Sequence, residues 1–256
     1  FDLKIIHDIR LFKVYRNISG SHWLIISGVG AINMALASMF LYQCSKATYA
    51  SFWFNIGIAG FSSGTIGDFF LVDKIVDQVS GRFHFPRTPI GKTKKKLELL
   101  SVSKPCNSKA AKALVDMEGY AFFDTVNRFA LREMIAVVKI VSDNKKNGYS
   151  KLTKKTVHEL ILANLSTIEQ LSLEAKQLSE KEFEKACPPK SYLDIVSRVH
   201  CSKTQRKFLE KLIRDWETSF PDSQLINRIG NLNIAKKIIE ELRKDLSMGS
   251  FDWSKK

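Results

Sequence analysis

Two residue pairs each place a carboxylate at the end of an apolar segment. Ser142-Asp143 ends the most apolar run of the chain, and Met117-Glu118 follows a short apolar run where a helix is expected to begin. A carboxyl group held against apolar surface can keep its proton and act as a general acid. A carboxylate at a helix N-terminus is instead stabilised in its negative form by the helix dipole. The first description suits Asp143 and the second Glu118, although an Asx-turn and a helix-capping acid are the structural alternatives.

Two glycine-containing segments also follow apolar runs. Gly28 and Gly30 (SGVG) stand where a strand would turn into a helix, and such a turn can bind an anion through its backbone N–H groups. The dinucleotide-binding fingerprint is incomplete, because Asn33 occupies the place of its third glycine. Segment 58–60 ends another apolar run in small residues, which let a flat ligand approach a strand at its carboxyl end. Plain tight turns remain the alternative for both segments.

The positions of apolar residues predict the elements that carry these groups. Seven runs indicate strands, at 12–18, 23–27, 51–59, 68–76, 97–102, 113–116 and 134–142, and two indicate helices, at 31–44 and 118–129. Strands that alternate with helices and read as continuous apolar runs predict an α/β domain with a largely parallel, covered sheet. After residue 150 the pattern is helical only, with helices expected at 153–185, 191–200, 203–220 and 225–246.

Composition and charge limit the classes of protein. The chain has 256 residues, 45% of them hydrophobic and 26% charged, which fits a globular protein and excludes wholesale disorder. The net charge of +14 is compatible with nucleic acid, anionic lipid or a phosphorylated small molecule as partner. Residues 1–165 hold 23 basic and 12 acidic residues, so most of the basic excess lies in the front part of the chain.

The cysteines and one charge-free stretch indicate in which cellular compartment the protein is expected and whether it associates with a membrane. Cys44, Cys106, Cys187 and Cys201 form no CxxC pair and have no histidine at zinc-finger spacing, so we expect no disulfide framework, no metal and a cytoplasmic location. The stretch 23–45 carries no charge and is long enough to span a bilayer. A buried strand, a glycine turn and a buried helix explain it as well, and we expect no membrane association.

Four segments in this order resemble the nucleoside phosphorylase / methylthioadenosine–adenosylhomocysteine nucleosidase superfamily. They are LIISGVGAINMALA (24–37), NIGIAGFSSGTIGDFFLVDKIV (55–76), ALVDMEGYAFFDTVNRF (113–129) and AVVKIVSDN (136–144). Segment 151–165 is similar to the family's closing helix. The resemblance implies an α/β, three-layer phosphorylase/hydrolase-like fold with a central mixed sheet for domain 1–165. An all-helical C-terminal extension, 166–256, has no counterpart in that family.

The resemblance also implies an activity, cleavage of the N-glycosidic bond of a purine nucleoside by a nucleosidase-like enzyme. Glu118 matches the family's acid that binds the ribose hydroxyls, and Met117 would pack against the sugar beside it. Asp143 matches the residue that protonates the purine, and Ser142 would orient it. The family usually forms dimers or hexamers, so a homo-oligomer is implied.

The remaining matched positions concern the nucleophile and the base. Gly28 and Gly30 would line the nucleophile pocket, and Ile58, Ala59 and Gly60 would line the base pocket. No cofactor is implied, apart from phosphate as co-substrate if the chain is a phosphorylase.

Several departures from the family pattern leave alternatives open. The family's first strand, with the acid that helps to activate water, would lie before Phe1. No arginine precedes Gly28 closely, and Asn33 stands where a phosphate-binding serine is expected, which favours a nucleosidase over a phosphorylase. A catalytically degenerate protein that binds a nucleoside or nucleic acid is a further alternative, favoured by the lysines of 92–112. The aromatic wall of the base pocket could come from Phe83, Phe85 or Tyr120, the last being part of the matched segment.

Overall fold

The computed structural model describes residues 1–8, 12–105, 112–221 and 223–248, and the chain divides into two compact units, 1–182 and 183–256. The strands are β1 (Lys4–Asp8), β2 (Lys13–Arg16), β3 (Trp23–Ile25), β4 (Trp53–Gly60), β5 (Phe69–Asp77), β6 (Phe83–His84), β7 (Lys96–Ser101), β8 (Leu114–Asp116) and β9 (Ile135–Asp143). The helices are α1 (Ala31–Ser45), α2 (Gly119–Val126), α3 (Lys154–Ala163), α4 (Leu165–Ala186), α5 (Tyr192–Arg198), α6 (Lys203–Ser219), α7 (Leu225–Ile229) and α8 (Ala235–Met248).

The main sheet of the first unit has six strands in the order β6-β5-β7-β8-β4-β9, and β5 also pairs with β9, so the sheet closes on itself. Strand β4 runs parallel to β9, and β5, β7 and β8 run parallel to one another, whereas the β4–β8 and β5–β9 pairs are antiparallel. The central mixed sheet is therefore confirmed. The expectation of a largely parallel sheet was too simple, because a strand covered on both faces is an apolar run in either orientation.

Helices cover the two faces of this sheet. On one face, α1 and α2 pack on Trp53, Ile75 and Leu99 through a continuous apolar core. On the other face, Leu171 and Ala175 of α4 pack on strand residues of β5 and β9. The sheet and the helices on its two faces form the three-layer arrangement. The two helical layers leave the ends of β4 and β9 at the margin of the core.

The charge-free stretch 23–45 contains the last strand of a separate three-stranded antiparallel sheet, β1-β2-β3, and then helix α1. Helix α1 has 15 residues. In the described ranges, no helix combines the length and the apolar content that crossing a membrane requires.

Two of the predicted helices are each divided in the structure. The first breaks at Asn164, whose side-chain amide donates to the carbonyl oxygens of Leu160 and Gly67 and so ends α3 before α4 begins. The second breaks at Gly230, which has φ +53° and separates α7 from α8. A local hydrogen bond and a backbone conformation suited to glycine therefore set boundaries that apolar spacing alone does not reveal.

The second unit is helical, and its own core lies among α5, α6, α7 and α8. The polar part of this core is a hydrogen-bonded group in which Trp216 Nε1 and Arg228 Nη2 donate to Asp245 at 3.0 and 2.8 Å. Burial opposes ionisation of Asp245, but the bonds from Arg228 and Trp216 outweigh it and lower the pKa of this carboxyl. The all-helical C-terminal extension is thus confirmed.

Candidate active site

The carboxyl end of β4 is the meeting point of the two predicted carboxylate segments. Gly60, the last residue of β4, pairs with Asp143 of β9 and with Val115 of β8. Val115 lies three residues before Glu118 in the chain. Since paired strands are about 5 Å apart, Gly60 stands between the segment that carries Asp143 and the one that leads to Glu118.

The carboxylate of Asp143 is held by its neighbours on both strands. Ser142 Oγ donates to Asp143 Oδ1 at 2.7 Å, and the backbone oxygen of Asp143 accepts from the N–H of Phe61 at 2.9 Å. The other carboxylate oxygen, Oδ2, lies over Gly60, where a Cβ atom would come within 2.7 Å of it. The glycine at this strand end therefore makes room for the carboxylate of Asp143, and the approach of a flat ligand to this strand end stays a prediction.

Glu118 is the residue that precedes the first turn of α2, and its carboxylate reaches the turn before α1. Its Oε1 accepts from the backbone N–H of Gly30 at 2.5 Å, and Oε2 accepts from the N–H of Met117 at 3.3 Å. Gly28 and Gly30 have φ +75° and +99°, conformations that favour glycine. The glycine turn thus binds a carboxylate of the protein, at the start of two helices whose dipoles favour negative charge.

The other predicted pocket residues differ in how they face this site. Ala59 is 3% exposed and its side chain belongs to the core, but its carbonyl oxygen accepts from Ser142 Oγ at 3.3 Å. Ile58 is half-buried and projects from the same face of β4 as Gly60, because side chains alternate along a strand. Met117 is also half-buried and lies next to Glu118.

No role was predicted from the sequence for Lys139, a deeply buried charged residue of this region. Lys139 of β9 is 2% exposed, and its Nζ lies 2.9 Å from Asp116 Oδ2 and 2.7 Å from Asn55 Oδ1. Asp116 also accepts from Ser101 Oγ at 2.6 Å and from the N–H of Gly119 at 2.8 Å. This network fixes the first residue of α2 next to Glu118. A lone lysine in an otherwise apolar strand was the available signal, since such a residue needs a buried partner.

Of the aromatic residues considered for the base pocket, Tyr120 lies in α2 two residues after Glu118, and Phe83 lies in β6. Strand β6, with Phe83, pairs with the last part of β5, and the ring of Tyr120 stacks on His84 with centroids 5.1 Å apart. The end of β9 lies at the beginning of β5, where the N–H of Gly67 donates to the oxygen of Val141. Phe83 pairs with Val76, nine residues after Gly67, so at about 3.3 Å per residue it lies roughly 30 Å along β5 from that end.

Metal ligands and disulfides play no visible part in this arrangement. Within the described ranges, no group of three or more His, Cys, Asp or Glu side chains is placed to hold a metal ion. Cys44, Cys187 and Cys201 carry free thiols, whereas Cys106 lies outside the described residues.

Solved structures provide the comparison for this fold, since neither a protein-family model nor a curated protein sequence matches the chain. A 5′-methylthioadenosine/S-adenosylhomocysteine nucleosidase from Colwellia psychrerythraea 34H, in complex with adenine, superposes with a TM-score of 0.52 at 17% identity. The match covers 70% of this chain and 87% of that one. A futalosine hydrolase mutant of Helicobacter pylori strain 26695 gives a TM-score of 0.51 at 13% identity, over 68% and 89% of the two chains. The chain therefore shares the fold of these two solved structures.

Proposed function

We propose that this protein is a purine nucleosidase, which hydrolyses the N-glycosidic bond of a purine nucleoside. The observation that carries the proposal is the pairing of Gly60 with both Val115 and Asp143, because it brings two carboxylate segments from distant parts of the chain to one strand end. The two solved proteins of this fold named above are a nucleosidase and a hydrolase, and one of them holds adenine. We also propose that this protein is cytoplasmic, because the three cysteines of its described residues carry free thiols.

In this mechanism the two carboxyl groups act on opposite halves of the substrate. Asp143, in its protonated form and oriented by Ser142, donates its proton to N7 of the purine. The electron pair of the breaking glycosidic bond then moves into a base that leaves neutral. Glu118 accepts hydrogen bonds from the ribose hydroxyls and stabilises the positive charge that develops on the sugar, while Met117 packs against the ring. Water adds its oxygen to the anomeric carbon, and the proton that it loses returns to the carboxylate of Asp143 or to solvent.

Water and phosphate as nucleophiles are distinguished by the products. We expect the protein to release free ribose and purine from a nucleoside, at a rate that does not depend on added phosphate. The measurement is product analysis in matched buffers with and without phosphate. Formation of ribose 1-phosphate, with no turnover when phosphate is left out, would identify a phosphorylase and contradict this proposal.

We also propose that the protein forms a homodimer through the exposed side of α1. Ile32, Leu36 and Met39 are 78%, 52% and 48% exposed, and their spacing places them along one side of a helix that contains no charged residue. An uncharged apolar stripe on a helix surface is typical of an interaction site. A second copy is the occupant that we propose, because a two-fold axis sets such a stripe against itself.

The variant that tests this dimer is Leu36→Glu, which introduces a charge into the apolar stripe. We expect the wild-type protein to sediment as a dimer and Leu36→Glu as a monomer, since two carboxylates would be buried opposite each other across the two-fold axis. Leu173→Glu is the matched control, because Leu173 on α4 is 64% exposed and lies outside the stripe. Sedimentation velocity at several concentrations measures the result. A monomeric wild-type protein, or a Leu36→Glu variant that stays dimeric, would exclude this interface.

A further inference from the structure

Segment 82–96 (RFHFPRTPIGKTKKK) has the most one-sided charge of the described chain. It contains six basic residues and no acidic one. Arg82, Arg87 and Lys92 are exposed, as are Lys95 and Lys96. The proposed hydrolysis uses none of these residues, so their concentration in 15 consecutive positions needs another explanation.

The segment crosses β5 from one side to the other, because it begins in β6 on one side of this strand and ends at β7 on the opposite side. At its start, His84 pairs with Ile75 near the end of β5. At its end, the oxygen of Lys95 accepts from the N–H of Leu71, and Lys96 pairs with Leu71 near the beginning of β5. The basic residues therefore form a track that crosses β5 between the levels of Ile75 and Leu71, which are four residues or about 13 Å apart along the strand.

Two aromatic rings are exposed at one end of this track. Phe83 is 57% exposed and Phe85 is 45% exposed, and their ring centroids are 5.5 Å apart in an edge-to-face arrangement. A cleft of about 490 Å³ is lined by Phe83 together with His84, Tyr120 and Asp124, among others. Exposed phenylalanines between arginines offer flat surfaces for stacking, next to charges that attract anions.

Three acidic groups near the segment are already engaged with other partners. Glu98 accepts from Lys74 Nζ at 2.8 Å, and Glu174 accepts from the backbone N–H of Gly91 at 2.8 Å. Asp124 binds His84 Nε2 at 3.1 Å and Arg128 at 2.9 Å. None of these three carboxylates is therefore paired with an arginine or a lysine of segment 82–96.

We propose that segment 82–96 binds single-stranded nucleic acid. Bases stack on Phe83 and Phe85, and phosphates follow the track from Arg82 and Arg87 to the lysines at its other end. Rings that stack on any base, combined with a basic track along the backbone, are the features by which proteins bind single strands without sequence preference. A lipid surface could use the same charges, so an anionic vesicle is the alternative that the test must exclude.

Fluorescence anisotropy with the full chain tests this proposal. The probe is a labelled oligothymidylate of about 20 nucleotides, long enough to exceed a typical binding site. We expect Phe83→Ala/Phe85→Ala to weaken binding by about tenfold or more, because each base that loses its stacking partner loses much of its affinity. Phe183→Ala is the matched control, since Phe183 is 55% exposed and lies outside the track, and it should bind like the wild type.

The salt dependence of binding tests the phosphate contacts separately. Each phosphate contact to a single strand adds about 0.7 to the slope of log affinity against log salt. The triple variant Lys94→Gln/Lys95→Gln/Lys96→Gln should therefore lower that slope by about 2. A slope equal to that of the wild type would show that the lysines make no phosphate contact. It would overturn the proposal that phosphates follow the track.

Three further results would overturn the proposal. The first is the absence of binding at low salt, and the second is equal affinity for a duplex of the same length. The third is an unchanged affinity of the phenylalanine variant, which is expected if the segment binds any polyanion or an anionic vesicle through its charges alone. Turnover of a free purine nucleoside should be the same in Phe83→Ala/Phe85→Ala and in the wild type. Failure of nucleic-acid binding and failure of the nucleosidase proposal are therefore observed in different assays.

Discussion

Asp143→Asn should lower kcat/KM for a purine nucleoside by about 10²- to 10⁴-fold, the usual contribution of a general acid. Asparagine has nearly the same shape and can still accept the hydrogen bond from Ser142 Oγ, but it has no proton to give to the departing base. Asp194→Asn, an exposed position in α5, is the matched control and should keep wild-type activity. Steady-state kinetics on folded variants, checked by circular dichroism, measure the effect.

A change of leaving group separates loss of the acid from general damage to the site. With 4-nitrophenyl riboside the leaving group departs as a stable anion and needs no protonation. Asp143→Asn should therefore retain most of its activity on this substrate, whereas Glu118→Gln should lose activity on both substrates, because Glu118 acts on the sugar. If Asp143→Asn kept full activity on the purine nucleoside, or if the wild type bound the nucleoside without turnover, the assignment of a general acid would be wrong.

The sequence predicted the secondary structure around the site because that part of the chain is strongly patterned. Strand β9 is buried at eight of its nine positions, so its apolar run could be read directly, and the glycine turns at Gly28 and Gly30 stand where the backbone has positive φ. The order of the strands was not readable from these runs. It depends on pairings such as Gly60 with Asp143, which join residues more than 80 positions apart and have no local signal.

Polar groups inside the core were the least predictable part of the site. Asp116 was read as part of a strand-to-helix junction, and Asn55 as part of an apolar run, because neither shows its partner in the sequence. Only the closed sheet brings them to Lys139, through β8 and β4. A buried lysine can be recognised from its apolar neighbours, but which carboxylate neutralises it depends on strand order.

Lys139→Met is expected to lower the free energy of unfolding by about 3–5 kcal/mol, the cost of leaving one member of a buried ion pair without its partner. The side chains of Lys139 and Asp116 are 2% and 1% exposed, so water cannot replace the lost charge. Lys74→Met is the matched control, because the pair of Lys74 with Glu98 has side chains 36% and 41% exposed. Such a partly exposed pair contributes about 0–1 kcal/mol. Urea titration followed by circular dichroism gives both values.

The double variant Lys139→Met/Asp116→Asn tests whether the cost comes from the unpaired charge or from lost packing. Asparagine can still accept from Ser101 Oγ and from the N–H of Gly119, and it carries no charge that needs Lys139. We expect the double variant to be more stable than Lys139→Met alone, because the isolated carboxylate is the main penalty. If the double variant lost a free energy of unfolding equal to the sum of the losses in Lys139→Met and Asp116→Asn, the two side chains would not be energetically coupled. The network would then stabilise α2 and Glu118 through its shape and not through its charges.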